Sequence, residues 1–232
     1  MLNEWEMVNA SDNKDNYFMG SKSMKIISLF FFMLAGILVA NDVDEGLQAY
    51  GENNFQKASM IWERSCKQGD TSSCNYLGDL YRSGKGVEYQ SYLMAIELYN
   101  KSCNRDNPKG CFMLAQMYKD GLGVKQDILK SVENFSKSCE LGYSASCRKL
   151  GEIYQNGYSG LEKNYNNAIS YYEKSCQDGE LDSCNNLAFM YYNGEGVQVD
   201  KKKAKCFYGK ACGNGANQYA CDTYKVLDSL DY

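Results

Sequence analysis

The sequence predicts an all-α fold, an α/α superhelix (solenoid) of about five helix-turn-helix repeats, each stapled by its own disulfide. Three observations lead there. Ten of the 11 cysteines among 232 residues fall on a regular grid. Between them, apolar and aromatic residues recur at intervals of three and four, the spacing of one helical face. Proline occurs once, at Pro108, as suits a chain dominated by helix.

The grid is set by Cys66, Cys103, Cys139, Cys176 and Cys212, at intervals of 37, 36, 37 and 36 residues. A fixed period of this size marks a stacked array. Each of the first four is followed eight residues later by a second cysteine: Cys74, Cys111, Cys147 and Cys184. The fifth partner, Cys221, lies nine residues on, so that repeat carries one extra residue.

Two helices alternate. The first carries a small residue, then an aromatic, then a cysteine, each four apart: Ala58-Trp62-Cys66, Ala95-Tyr99-Cys103, Ser131-Phe135-Cys139, Ala168-Tyr172-Cys176 and Ala204-Tyr208-Cys212. Spacing of four keeps them on one face. The small residue admits a neighbouring helix and the aromatic fills the gap. Gly69, Gly142, Gly179 and Gly215 follow the cysteine by three, where a helix ends in a left-handed residue, and Asp106-Asn107 take that place in the second repeat. The second helix carries Leu-small-x-apolar-Tyr, from Leu77 to Tyr81, Leu114 to Tyr118, Leu150 to Tyr154 and Leu187 to Tyr191. Its Leu, apolar residue and Tyr predict a buried stripe. Glycine-rich turns (SGKGV, DGLGV, NGYSGL, NGEGV) close it. Residues 43–50 read as an incomplete leading helix and residues 218–232 as a polar last one.

A tight helical hairpin brings cysteines eight apart within disulfide reach. The predicted pairs are Cys66–Cys74, Cys103–Cys111, Cys139–Cys147, Cys176–Cys184 and Cys212–Cys221. Zinc is the rival reading, but two thiolates per repeat, with no histidine, do not converge on one tetrahedral site. Cys206 stands off the grid. It aligns with Met60, Glu97, Glu133 and Ser170, mostly polar positions, so an outward free thiol is expected, or an intermolecular disulfide to a partner or second copy.

Disulfides imply an oxidising compartment. Residues 24–40 supply the route: Lys25 precedes an apolar run from Ile26 to Ala40 that is short for a membrane span and ends on a small residue, the pattern of a secretory signal. The expected location is secreted or periplasmic, with no membrane span after cleavage. Residues 1–23 are a polar extension ahead of the signal, and Met24 or Met19 is the expected true start. Composition narrows function further. A net charge of −4 argues against binding the phosphate backbone of nucleic acid. The absence of histidine removes Ser-His-Asp, Cys-His and His-ligated metal chemistry. No cofactor is implied.

Segments such as NNAISYYEKSCQDGELDSCNNLAFMYYNGEGVQVDKKKA resemble Sel-one-like repeats, relatives of the tetratricopeptide repeat. The cysteine pair eight apart resembles the Helicobacter cysteine-rich type. The resemblance covers residues 43–232. It implies protein or peptide binding outside the cytoplasm, with host proteins among the partners. It also puts the Leu-Gly-x-x-Tyr helices on the concave face, with residues two before, two after and five after the Leu pointing into a groove. Those are Asn75, Asp79 and Arg82; Phe112, Gln116 and Lys119; Arg148, Glu152 and Gln155; Asn185, Phe189 and Tyr192. Amides suit a peptide backbone, Arg and Lys suit carboxylates, and the aromatics suit apolar side chains.

Some relatives of this type are described as weak penicillin-binding proteins or β-lactamases, which makes slow β-lactam hydrolysis the second functional class. Serine enzymes of that kind use S-x-x-K, S-D-N and K-T-G. Here S-x-x-K occurs at Ser146–Lys149, beside a disulfide, and at Ser11–Lys14, ahead of the signal segment; K-T-G is absent. Ser146 is the one candidate nucleophile, and a binding scaffold is the favoured class.

Overall fold

A computed structural model describes residues 42–213 and 217–232. The expected N-terminal extension (residues 1–23) and expected signal segment (24–40), the Ser11 motif and Gly215 lie outside the described residues. Within them the chain forms eleven helices and no strand. The leading helix, α1, covers residues 42–51. It is followed by α2 (Phe55–Gln68), α3 (Thr71–Ser83), α4 (Tyr92–Cys103), α5 (Pro108–Asp120), α6 (Ile128–Glu140), α7 (Ser144–Asn156), α8 (Tyr165–Gln177), α9 (Leu181–Asn193), α10 (Lys201–Cys212) and α11 (Gln218–Ser229). Each of these helices packs mainly on its immediate neighbours in sequence, with lighter α3–α5 and α7–α9 contacts. That connectivity makes a linear stack of five hairpins, α2–α3 to α10–α11, a solenoid.

Local chemistry fixes the helix ends. The side chains of Asn54, Asp70, Ser91, Asn107, Asp127, Asn164, Asp200 and Asn217 each accept from a backbone N–H of the first turn, the standard N-terminal cap. At the other end Gly69 adopts φ 108°, and the Asp70 N–H reaches back to the Ser65 carbonyl at 3.1 Å. Asp106 takes the same place in the second repeat, at φ 57°, with Asn107 N–H on the Ser102 carbonyl. An aspartate tolerates that backbone better than most side-chain-bearing residues.

The core lies along the even helices. Ala58, Ala95, Ser131, Ala168 and Ala204 are fully buried, as are Trp62, Tyr99, Phe135, Tyr172 and Tyr208. Each odd helix sets its small residue against the next repeat's aromatic. A Cβ added at Gly78 would lie 2.7 Å from the Tyr99 ring, and one at Gly151 would lie 2.5 Å from Tyr172. Ala115 with Phe135 and Ala188 with Tyr208 repeat the pairing within one core cluster each. Gly46 of α1 does the same for Trp62, so α1 closes the first hairpin's exposed side.

The predicted buried stripe of the odd helices holds for Leu and the apolar residue, but Tyr81, Tyr118 and Tyr154 stay half-exposed and only Tyr191 is buried. These tyrosines sit at the seam with the next repeat. Tyr154 stacks on Tyr171 at 5.7 Å and Tyr191 on Phe207 at 5.8 Å. The backbone carbonyls of Tyr81, Tyr118, Tyr154 and Tyr191 accept from the N–H groups of Ser91, Asp127, Asn164 and Asp200, at 2.8–2.9 Å. A seam residue packs one ring face and leaves its edge in water.

All five cysteine pairs form disulfides, with Cα–Cα separations of 4.5–5.0 Å. A second linkage accompanies them. Lys101, Lys137 and Lys174 donate to the carbonyls of Cys66, Cys103 and Cys139, at 2.8, 2.9 and 3.2 Å. Each lysine thus places its charge at the C-terminal end of the preceding even helix, where the helix dipole favours it.

Candidate ligand-binding face

The twelve anticipated groove residues lie on α3, α5, α7 and α9, but they do not form a uniform wall. Asn75 is withdrawn from it. Its side chain is buried (1 % exposed), and Nδ2 donates to Asn107 Oδ1 at 3.0 Å, so it joins α3 to the cap of α5. Phe112 is half-buried in an edge-on aromatic cluster with Phe135 (5.5 Å) and Tyr143 (5.1 Å).

Asp79 accepts from the Tyr99 hydroxyl at 2.7 Å and faces Arg82 at 3.6 Å. Gln116 and Lys119 are half-exposed, with Lys119 beside Asp120 at 3.2 Å. Arg148 donates to Glu152 at 2.6 Å and to Glu180 at 3.2 Å; Lys149 also holds Glu152, at 2.7 Å. Gln155 accepts from the Tyr172 hydroxyl at 2.8 Å and donates to Glu195 at 2.9 Å. The middle of the face is therefore a linked polar network whose charges are already paired. Burial, then the Asp79 carboxylate, raises the Tyr99 hydroxyl well above its ordinary range; burial, then Glu152, does so for Tyr172. Both act as neutral donors.

The α9 end differs in its aromatics. Phe189 and Tyr192 are exposed, 39 % and 37 %; the Asn185 Oδ1, like that of Asn75, is buried without a hydrogen-bond partner among the described residues. The face thus runs from polar and self-paired on α3–α7 to aromatic on α9.

Ser146 is not arranged as a nucleophile. It is fully buried and donates to Ser138 Oγ at 2.6 Å, while Ser138 donates to the Pro108 carbonyl at 2.6 Å. Ser183 and Ser175 repeat the pair at 2.8 Å, which marks it as part of the repeat. Lys149 points to Glu152. The S-x-x-K match arises because Ser occupies the position before the second cysteine in several repeats.

Cys206 is exposed and unpaired. It lines an open depression of about 940 Å³ on the last hairpin, with Lys202, Lys205 and Lys210 around it. Among the described residues no cluster of metal-ligating side chains occurs, and no helix is long and apolar enough to cross a membrane.

Two features define the class: hairpins stapled at every turn, and a continuous spine in which each repeat buries its small residue against the next repeat's aromatic. This is a helical-repeat scaffold. The chain belongs to the Sel1 repeat family, whose model matches residues 71–107, 108–143, 144–180 and 181–215. It is similar to a Sel1 repeat protein from Oxalobacter formigenes, at 25 % identity over 78 % of this chain and 75 % of that one, with a TM-score of 0.70. It is also similar to a protective antigen of uropathogenic Escherichia coli displaying an SLR fold, at 30 % identity and TM-score 0.68. That match covers 82 % of this chain but only 41 % of the antigen. Cysteine rich protein B of Helicobacter pylori is 32 % identical over 55 % of this chain and 90 % of that one, with a TM-score of 0.43. No curated protein matches the sequence.

Proposed function

We propose that the chain is an exported scaffold, secreted or periplasmic, that binds a protein or peptide along the face made by α3, α5, α7 and α9. The carrying observation is that eleven of the twelve face residues, all but Asn75, keep solvent contact while the opposing side of the same helices is sealed. A stack needs only the sealed side for stability. Five intrachain disulfides support a location outside the reducing cytoplasm, and the segment 24–40 is the proposed export signal. Host molecules belong among the candidate partners, given the likeness to a protective antigen of a pathogen.

Photo-crosslinking in the producing cell tests this. A benzoylphenylalanine at Gln116 or Phe189 is expected to capture one discrete partner. The same probe at Glu97 or Glu133, on exposed even-helix positions, is expected to capture none. Equal capture from both sets, or none from the face, overturns the proposal. Thiol titration tests the compartment: one reactive sulfhydryl, Cys206, before reduction, against 11 in the reduced, unfolded chain.

A further inference from the structure

Comparison of the chain's own repeats singles out the α9–α11 end of the face. In the second repeat the buried tyrosine hydroxyl, Tyr99, is satisfied by Asp79, two residues after the Leu of the preceding odd helix. In the fourth, Tyr172 is satisfied by Gln155, five after it. The corresponding acceptors for Tyr208 would stand at positions 189 and 192, and these are Phe189 and Tyr192. Tyr208 is fully buried, and its hydroxyl makes no hydrogen bond of normal geometry among the described residues, the Tyr219 side chain being the polar group nearest to bonding it. Its ring stands edge-on to Tyr192 at 6.4 Å and to Tyr219 at 6.0 Å. Tyr219, on α11, is 57 % exposed. Asn185 lies on the same face of α9, one turn before Phe189, and its Oδ1 is a second buried atom without a partner, as is that of the corresponding Asn75 on α3, where no exposed aromatic pair follows.

Buried polar atoms are almost always paired, and leaving one unpaired is costly. Here a donor and an acceptor both lack a well-formed partner at a hairpin whose α9 and α11 expose aromatic rings, and no charged side chain belongs to the group. We propose that Asn185, Phe189, Tyr192, Tyr208 and Tyr219 form a subsite for an uncharged, extended peptide segment with an aromatic or large aliphatic side chain. A backbone N–H of the segment donates to Asn185 Oδ1. A backbone carbonyl accepts from the Tyr208 hydroxyl as the rings of Tyr192 and Tyr219 part over it. The apolar side chain lies on Phe189 and Tyr192. The inference rests on the binding-face reading above and gives it a ligand class at one end.

The test uses the disulfide-bonded chain and immobilised, capped heptapeptide mixtures. Their central residue is Phe, Leu, Glu or Lys, and every other position is drawn from Gly, Ala, Ser and Asn. Preferential retention on the Phe and Leu mixtures is expected, with loss in Tyr192→Ala. Tyr208→Phe separates ligand binding from packing. Removing an unpaired buried hydroxyl raises the melting temperature whatever its role, but only a ligand-contacting hydroxyl also weakens retention, by about fivefold. A Tyr208→Phe protein that melts higher and retains peptide unchanged overturns the assignment of that hydroxyl. Retention on the Glu or Lys mixtures alone, abolished by Arg148→Ala or Glu152→Ala and indifferent to Tyr192→Ala, overturns the subsite but leaves the binding face standing. No retention on any mixture overturns the subsite; crosslinking at Gln116 then decides the face separately.

Discussion

At Gly78 and Gly151 the odd helices meet the tyrosine rings of the next repeat with nothing but a hydrogen atom, where Ala115 and Ala188 bring a methyl group. Alanine is ordinarily the better helix former, by about 1 kcal/mol over glycine. At Gly151 the added Cβ would stand 2.5 Å from a fully buried ring, and overpacking typically costs about 1–3 kcal/mol. Gly151→Ala is therefore expected to lower the urea midpoint despite its better propensity, whereas a glycine-to-alanine change at Gly51, with open space around it, is expected to raise it or leave it unchanged. Ser146 supplies the second residue-scale prediction. Ser146→Ala removes its bond to Ser138 and is expected to cost about 1 kcal/mol of stability. Nitrocefin turnover, at background in the native protein, is expected to stay there in the variant; a rate above background that vanishes on substitution would restore a catalytic serine.

Helices are the scale at which the staples act. Closing a loop of about nine residues is worth roughly 2.5 kcal/mol in the chain-entropy treatment, so each disulfide stabilises its hairpin by a similar amount. Consequences depend on position, because every hairpin contacts mainly its neighbours. Replacing Cys212 and Cys221 by alanine is expected to loosen α10 and α11 alone, read as faster amide exchange from residue 201 onward. The same change at Cys139 and Cys147 weakens a hairpin flanked on both sides and is expected to lower the melting temperature of the whole stack. The disulfides and both helical stripes were legible in the sequence, since all depend on local spacing. The seam tyrosines were not: a residue at i+4 from a buried Leu shares its stripe on an isolated helix, and only the angle at which the next repeat packs exposes its edge. The lysines on the cysteine carbonyls had a signal, the recurring Lys-Ser-Cys at 101–103, 137–139 and 174–176, but their acceptors lie one repeat away.

Across the whole molecule the buried tyrosines form a row, one per repeat from Tyr99 onward, interrupted by Phe135. The hydroxyls of Tyr99 and Tyr172 titrate higher in the folded chain than the ordinary value near pH 10. A group whose folded-state pKa is raised contributes stability that is complete below its unfolded pKa and is lost as pH rises beyond it. Stability is thus expected to be unaffected by these tyrosines up to about pH 10 and then to fall, by at most about 1.4 kcal/mol per pH unit for each. Tyr172→Phe should shallow that alkaline slope in denaturant titrations; an unchanged slope would mean that the hydroxyl is not held in its neutral form.

Period, helix type, hairpin pairing and the sealed spine were all determined by the sequence alone, because each arises between residues within one or two turns or one repeat of each other, and repetition multiplies the signal. The binding face was legible only as a set of positions. The tertiary structure decided what those positions are free to do: the Asn75 Nδ2 is consumed by Asn107, Arg148 by Glu152 and Glu180, and Gln155 by Tyr172 and Glu195, while Phe189 and Tyr192 stay exposed. Those partners lie from 4 to 40 residues away along the chain, and whether a polar side chain meets one is set by how one repeat is rotated on the next, a quantity no single helix encodes.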